Sequence, residues 1–268
     1  TLLKLTKDHD FAVIEMGANK PGDIKELVEI AEPTAGIITN IGAAHIEEFG
    51  SLQGVINTKT ELYNFLETQN GLVFYNKEDE VLRSRLPNVD ETVSYGSDGD
   101  VEGELVSLNP YVEFRWRKAG YKSPTIQTML VGKYNFTNFL AAVAIGTQFG
   151  VENDHIGDAL AEYVPSNNRS QVQKTERNTL IVDCYNANAT SMLAALESFT
   201  EMEGENKLAI LGDMLELGEI SAEEHQKIVD FLTANKLNAV LVGAEFSHTV
   251  SNFDHYSNVQ ELIDKMDA

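Results

Sequence analysis

The stretch FAVIEMGANKPGDI (residues 11–24) begins with a short apolar run and then changes to a helical pattern. Residues 11–14 and 35–39 are short, apolar and partly β-branched, as buried strands are. Between them, residues 22–31 carry apolar side chains at helical spacing, after a Pro-Gly pair and before Pro33. Strand, helix and strand in this order predict a βαβ unit in a parallel sheet.

Two polar side chains fall near the carboxyl ends of these predicted strands, where ligands of parallel sheets collect, and a third lies in the helix that follows. Glu15 follows the first strand, His45 lies in the loop after the second, and Lys59 sits in a helix predicted over residues 51–66. Taken singly, a solvated Glu, a turn His and a surface Lys are the more frequent interpretations. Their shared placement predicts a site for magnesium and phosphate.

Further elements follow up to residue 130. We predict a weak helix over residues 1–10, strands over 71–75 and 92–95, a helix over 77–85 and antiparallel strands within 100–130. Trp116, Arg115 and Arg117 are interpreted as residues of an exposed hairpin.

A strong helix is predicted over residues 134–149, directly after Gly132. Asn135 and Asn138 are three residues apart and share a face of this helix. An amide group can both donate and accept hydrogen bonds, which suits the edge of adenine. Capping or solvent-facing asparagines explain the same spacing equally well.

A domain boundary is predicted within residues 164–168, where Pro165, Ser166 and two asparagines indicate a hinge. This divides the chain into domains 1–166 and 167–268. The second domain again alternates strands and helices, which predicts a Rossmann-like α/β fold without the G-x-G-x-x-G fingerprint. Its predicted helices are 191–199, 222–234 and 259–266, and its strands are 179–183, 207–211 and 239–242; a helix over 151–163 is predicted before the boundary.

Composition excludes several classes of protein. The 268 residues include 20 Lys and Arg against 42 Asp and Glu, a net charge of −22, which argues against nucleic acid and anionic membranes as partners. A single cysteine, Cys184, excludes an internal disulfide framework and fits a reducing compartment such as the cytoplasm. The sequence has no apolar run of 18 residues and no signal-peptide pattern at its start.

Five segments together resemble the Mur ligase family, and within it the MurF type that adds D-alanyl-D-alanine to UDP-N-acetylmuramoyl-tripeptide. The segments keep the family's order and read EMGANKPGDI, TNIGAAHIEEFGS, GKYNFTNFLAA, DCYNANATSM and LGDMLELGEISAEEH. The resemblance implies an α/β fold: an ATP-binding middle domain with a mainly parallel sheet and a small antiparallel portion, followed by a Rossmann-like C-terminal domain. It also implies ATP-driven peptide-bond formation through an acyl phosphate, with Mg²⁺ and ATP as cofactors.

The resemblance also implies roles for individual residues. Glu15 and His45 would bind the second magnesium, and Lys59, at a position that some members carry as a carbamate, would join them in catalysis. The implied ATP-binding residues are Asn135, Asn138, Arg169 and Asp183. The implied substrate-binding residues are Asn40, Tyr185 and Asn186. Asp213, Glu216 and His225 lie in a family-like segment, and their roles stay open, because an acid beside glycine is often a cap or turn residue.

The phosphate-binding P-loop pattern, G-x-x-x-x-G-K-[ST], is not found in these 268 residues. We therefore expect a chain that starts after the family's P-loop and N-terminal domain, and has little ligase activity alone. Alternatives are a non-catalytic fragment that binds nucleotide or peptide, another Mur ligase, or a folylpolyglutamate synthase-like ligase. The expected partners are the two peptide substrates, and the intact parent is expected to be a monomer.

Overall fold

The computed structural model describes residues 2–42, 46–166 and 168–266. Three parallel strands in the order β1-β2-β3 form the first sheet, with the register Ala35 to Leu72 and Val73 to Thr92. The strands are β1 (Ala35–Ile37), β2 (Leu72–Asn76) and β3 (Thr92–Tyr95). The helices of this part are α1 (Asp23–Ala31), α2 (Ile46–Phe49), α3 (Leu52–Lys59), α4 (Glu61–Gln69) and α5 (Glu80–Arg83).

The predicted single helix over residues 51–66 is two helices in the structure. Its predicted start is confirmed, since the Ser51 hydroxyl accepts a hydrogen bond from the Gly54 N–H at 3.1 Å. The break falls at Thr60, between α3 and α4. The Thr60 hydroxyl shares its proton between the carbonyls of Ile56 and Asn57, while its backbone N–H keeps the regular helical bond to Ile56 at 3.0 Å.

The predicted strand over residues 11–14 is wrong. These residues form no strand, and Phe11 and Val13 are 64% and 90% exposed. A strand needs a neighbour for its backbone hydrogen bonds, and β1 pairs only with β2 within the described residues. The apolar pattern of residues 11–14 predicts a buried strand, but it does not specify the neighbouring strand with which these residues would pair. Of the weak helix predicted over residues 1–10, only a turn of 3-10 helix, Leu2–Lys4, is present in the described part.

An antiparallel sheet follows, as predicted. Its strands are β4 (Glu102–Ser107), β5 (Glu113–Lys118), β6 (Tyr121–Lys122) and β7 (Ile126–Gln127). Helix α6 (Lys133–Gln148) contacts both sheets, and α7 (Asn153–Glu162) packs against β7. Their shared core contains the buried aromatic residues Phe74, Tyr95, Phe114, Trp116 and Phe139.

The interpretation of Trp116 as an exposed hairpin residue is wrong. Its side chain is 1% exposed, with ring centroids of Phe114 and Tyr121 each 6.1 Å away. Successive side chains of a strand point to opposite faces, so Trp116 faces the core while Arg115 and Arg117 lie on the other face. Of those two, Arg117 is exposed and Arg115 is half-buried.

The second half contains two separate sheets. A parallel sheet has the order β10-β11-β12, and β8 pairs with β9 in an antiparallel hairpin. The strands are β8 (Gln171–Lys174), β9 (Thr179–Val182), β10 (Leu208–Gly212), β11 (Asn238–Val242) and β12 (Asp254–Tyr256). The helices are α8 (Ala189–Glu201), α9 (Ser221–Ala234) and α10 (Val259–Met266). Strand β9 was expected in the alternating α/β pattern and is instead in the hairpin, while β8 and β12 were not predicted.

Helix α8 and the loop that follows it contact the first half of the molecule. At its start, the backbone of Gly42 approaches Thr190, so that an added Cβ would lie 3.4 Å from the Thr190 hydroxyl. In its last turns, the Ser198 hydroxyl accepts from the Lys133 N–H at 3.1 Å. Beyond its end, the Glu203 N–H donates to the Asn109 side chain at 2.9 Å. The domain boundary between residues 166 and 167 stays a prediction.

No helix within the described ranges combines the length and the apolar character needed to cross a membrane.

Candidate nucleotide site at the domain junction

Lys59 and Asn40 meet beside the parallel sheet. Lys59 ends α3, and Asn40 lies in the loop after β1. The Lys59 ammonium donates to the Asn40 backbone carbonyl at 2.9 Å. Burial lowers the pKa of Lys59, because leaving water disfavours its charged form. A half-buried lysine of lowered pKa is suited to chemistry that needs the neutral amine.

The predicted metal ligands are not brought together by what the structure describes. Glu15 is exposed, and its carboxylate has no hydrogen bond or ion pair with any described residue. His45 lies outside the described residues. Among the residues that are described, no three His, Cys, Asp or Glu side chains are grouped closely enough to hold a metal ion. The assignment of Glu15 and His45 to magnesium therefore stays a prediction.

A chain of hydrogen bonds connects the start of α6 to the second half of the molecule. The Tyr134 hydroxyl donates to the Asp183 carboxylate at 2.8 Å and lies 2.6 Å from the Ser170 hydroxyl. The Ser170 N–H donates to the other carboxylate oxygen at 3.3 Å. Burial raises the pKa of Tyr134, so its hydroxyl keeps its proton at neutral pH.

Asn135 and Asn138 share a face, as predicted, but their environments differ. Asn135 is 7% exposed, and its amide nitrogen donates to the Val131 carbonyl at 2.7 Å and the Ser170 hydroxyl at 3.0 Å. Its amide oxygen accepts from Asn138 at 3.2 Å. Both N–H groups of Asn135 are therefore used within the protein. Asn138 is exposed, which makes it the member of the pair available to a ligand.

Gly132 permits the position of Tyr134. Its φ of +94° is in the region that favours glycine. A Cβ added there would lie 2.5 Å from the Tyr134 ring, closer than carbon atoms can approach. A side chain at position 132 would thus displace the ring whose hydroxyl reaches Asp183.

Arg169 and Tyr185 are also brought together. The Arg169 guanidinium lies 3.9 Å from the centre of the Tyr185 ring, a cation–π contact between two exposed side chains. Both belong to loops beside Asp183. Asn186 is likewise exposed in this loop. The residues predicted to bind ATP and two of the three predicted substrate residues therefore lie around one junction, whereas Asn40 lies with Lys59.

The family-like segment at residues 211–225 has structural roles for two of its polar residues. The Asp213 carboxylate accepts from the Glu245 and Phe246 N–H groups at 2.9 and 3.1 Å. His225 is fully buried and accepts from the Met214 N–H at 3.0 Å. Its other ring nitrogen lies 2.8 Å from the Ser221 carbonyl, which requires a neutral ring protonated there.

A cavity of about 510 Å³ lies between the two halves, next to Tyr134. Lys133, Glu197, Ser198 and Phe231 are among the other residues that line it. None of the sequence-predicted site residues lines this cavity, although Tyr134 does. Sequence reasoning missed both Tyr134 and Ser170. Their adjacency to Asn135 and Arg169 was the available signal.

The chain belongs to the Mur ligase family. Residues 1–146 match the model of the Mur ligase middle domain, and residues 168–266 match that of the Mur ligase, glutamate ligase domain.

Two curated relatives carry the same enzyme name. The UDP-N-acetylmuramoyl-tripeptide--D-alanyl-D-alanine ligase of Escherichia coli (strain K12) is 32% identical, covering 99% of this chain and 61% of that protein. The ligase of the same name from Bacillus subtilis (strain 168) is 30% identical over 98% of this chain and 60% of its own length. This chain thus spans about 60% of the length of these two relatives.

Two solved structures have the same fold as this chain. Crystal structure I of MurF from Acinetobacter baumannii superposes with a TM-score of 0.89 and 29% identity, covering 99% of this chain and 59% of that one. MurF from Thermotoga maritima in complex with ADP gives a TM-score of 0.82 at 24% identity, covering 94% and 59% of the two chains. At that identity the likeness shows the fold alone.

Proposed function

We propose that this chain forms the middle and C-terminal parts of an ATP-dependent ligase of peptidoglycan precursor synthesis. The ligase would join D-alanyl-D-alanine to UDP-N-acetylmuramoyl-tripeptide. The observation that carries the proposal is the identity of 30–32% over nearly the whole chain to the E. coli and B. subtilis ligases of that name. The hydrogen-bonded junction around Asp183 supports it, since it gathers the residues proposed to bind ATP.

The proposed reaction has two chemical steps. The terminal carboxylate of the tripeptide attacks the γ-phosphate of ATP, giving an acyl phosphate and ADP. The amine of D-alanyl-D-alanine then attacks the acyl carbon, and the tetrahedral intermediate collapses with loss of inorganic phosphate. The first step brings two anions together and the second releases an anionic phosphate, so cations in the site contribute most to the rate.

Magnesium fits one donor observed here, the exposed Glu15 carboxylate, because Mg²⁺ prefers oxygen ligands. We assign Glu15 and His45 to the second magnesium, which would neutralise phosphate charge when bound. Lys59 is assigned to the same site. Its lowered pKa supports this, because the neutral amine is the form that can become a carbamate.

The nucleotide is proposed to bind at the start of α6. Asn138 would contact adenine, oriented by Asn135, and Asp183 would contact the ribose. Arg169 would reach the phosphates, which requires its guanidinium to leave the Tyr185 ring. Asn40, Tyr185 and Asn186 are proposed to contact the peptide substrates.

The setting of the reaction is also proposed. ATP supply and nucleotide-linked substrates place it in the cytoplasm. The strongly negative charge supports small-molecule partners over nucleic acid or anionic membrane. A monomer is expected for the intact ligase.

One assay separates the ligase proposal from its alternatives. Ligand-observed NMR on these 268 residues, with Mg²⁺, should show weak binding of ADP and a preference for D-alanyl-D-alanine over L-alanyl-L-alanine. Phosphate release should be negligible, because no P-loop cradles the β- and γ-phosphates.

The outcomes are distinct. Binding of neither ADP nor D-alanyl-D-alanine would contradict the proposed function. Equal binding of the two dipeptides would favour a different amino-acid or folate ligase. Phosphate release that requires both peptide substrates would overturn the expectation of an inactive chain.

A further inference from the structure

The hydrogen bonds at the domain junction form a directed chain. The Asn135 amide donates to the Ser170 hydroxyl, which can in turn donate to Tyr134. The Tyr134 hydroxyl has a single proton, and it goes to the Asp183 carboxylate at 2.8 Å. Each donor in such a chain polarises the next, and the last bond is strengthened by the charge of its acceptor.

The Asp183 carboxylate keeps acceptor capacity after these contacts. One of its oxygens accepts from Tyr134 and the other from the Ser170 N–H. Two carboxylate oxygens offer about four acceptor positions, and the side chain is exposed. The two contacts therefore fix the plane of the carboxylate and leave it open to a pair of neighbouring hydroxyl donors.

Two backbone conformations at the junction restrict the orientation of the Asp183 and Tyr134 side chains. Ser170 is 3% exposed and has a φ of +52°, which is uncommon for a residue with a side chain. This conformation directs both its N–H and its hydroxyl toward the Asp183–Tyr134 pair. Gly132, at a φ of +94°, gives the Tyr134 ring its space. The orientation of Asp183 is thus determined from both halves of the molecule.

We propose that Tyr134 is a positioning residue for nucleotide sugar recognition, holding the Asp183 carboxylate ready for the 2′- and 3′-hydroxyls of ribose. This inference rests on the proposed nucleotide site. Tyr134 would then contribute to the selectivity for ribose, in addition to forming a hydrogen bond that connects the two halves of the molecule.

The test compares ADP with 2′,3′-dideoxy-ADP, which lacks the two hydroxyls. Dissociation constants are measured by ligand-observed NMR for the wild-type chain and for Tyr134→Phe, which removes only the hydroxyl. Tyr163→Phe is the matched control, because Tyr163 is 52% exposed at the end of α7. Thermal melting of each variant reports whether the fold is retained.

We expect the wild-type chain to prefer ADP over dideoxy-ADP, and Tyr134→Phe to lose about tenfold in ADP affinity, the effect typical of one charge-assisted hydrogen bond. The affinity for dideoxy-ADP should not change, and Tyr163→Phe should match the wild type. The assignment would be overturned if Tyr134→Phe lost affinity equally for both nucleotides, or if it kept the wild-type preference for ADP over dideoxy-ADP.

Two further results separate this inference from the proposed function. If the wild-type chain binds ADP and dideoxy-ADP equally, the ribose does not reach Asp183, and the inference fails while the nucleotide site stands. If it binds neither nucleotide, the proposed nucleotide site itself fails, and the inference with it.

Discussion

At the residue scale, Lys59 and Tyr134 show how burial sets the state of a titrating group. Burial lowers the pKa of Lys59 and raises that of Tyr134, since in both cases the charged form is disfavoured. At neutral pH the tyrosine therefore remains a hydrogen-bond donor. The lysine loses its proton at a lower pH than exposed lysines do.

The lowered pKa of Lys59 predicts a pH-dependent stability. The unfolded chain holds this proton to higher pH than the folded chain, so the contribution of Lys59 to unfolding free energy rises as pH increases through its folded pKa. Urea unfolding of wild type and Lys59→Met from pH 7 to pH 10.5 measures it. The unfolding free energy of wild type relative to Lys59→Met should increase as the pH rises. A constant difference would contradict the burial of Lys59, and the exposed Lys25→Met serves as the control.

The assignment of Glu15 to the metal site predicts that its substitution weakens the binding of a divalent cation. With Mn²⁺ replacing Mg²⁺ in the presence of ADP, Glu15→Gln should weaken Mn²⁺ binding by about tenfold or more, as loss of a metal-site group does. Electron paramagnetic resonance of free Mn²⁺ gives the dissociation constant. Glu29→Gln, an exposed change in α1, is the control. Unchanged binding in Glu15→Gln would remove Glu15 from the site.

Some site residues could be inferred from sequence and others could not. Asp183, at the end of a predicted strand, was selected because its segment, DCYNANATSM, resembles the Mur ligase family. Tyr134 and Ser170 were not selected from the sequence. Their role depends on Gly132 and on the positive φ of Ser170, which bring together residues 36 positions apart. The internal use of Asn135 also required the structure, because helical spacing cannot distinguish a buried amide from an exposed one.

At the element scale, alternation and helical periodicity predicted most strands and helices. There are three main exceptions. The helix predicted over residues 51–66 is divided at Thr60. Trp116 is buried although both neighbours are arginines, because β5 places alternate residues on opposite faces. For residues 11–14, the apolar pattern could not supply the neighbouring strand that a β-ladder requires.

The packing of β4 on α6 gives a stability prediction. A Cβ at Gly103 would lie 2.5 Å from the Phe136 ring and 2.6 Å from Leu140. Gly103→Ala should therefore reduce the unfolding free energy by about 1–3 kcal/mol, the usual effect of overpacking a core. Gly17→Ala is the matched control, since nothing lies within 4 Å of its added Cβ. Equal urea midpoints for the two variants would show that this contact is not tight.

At the scale of the whole molecule, α8 joins the two halves, together with the hydrogen bonds of Tyr134 and Asn135 to Ser170 and Asp183. Its contacts run from Thr190 through Ser198 to the loop at Glu203. They bring the loop after β1 and the start of α6 against the C-terminal half. The same arrangement places Asp183 within reach of Tyr134, so the proposed nucleotide site depends on how the halves are joined.

Removing two of these contacts should loosen the junction. The double variant Asn109→Ala, Ser198→Ala loses two of the hydrogen bonds between the halves, each worth about 1 kcal/mol or fivefold in an opening equilibrium. Limited proteolysis should cleave residues 163–169 faster than in the wild type, with melting of each half little changed. Ser84→Ala with Asn88→Ala is the control. An unchanged cleavage rate would show that other contacts hold the halves together.

The most direct test of a nucleotide site at the domain junction is hydrogen–deuterium exchange of these 268 residues with and without ADP and Mg²⁺. Binding at the proposed site predicts slower exchange in peptides covering residues 132–138 and 169–186. Peptides from β11 and α10, which lie outside that site, should not change. Protection confined to other regions, at an ADP concentration where binding is detected, would contradict the site.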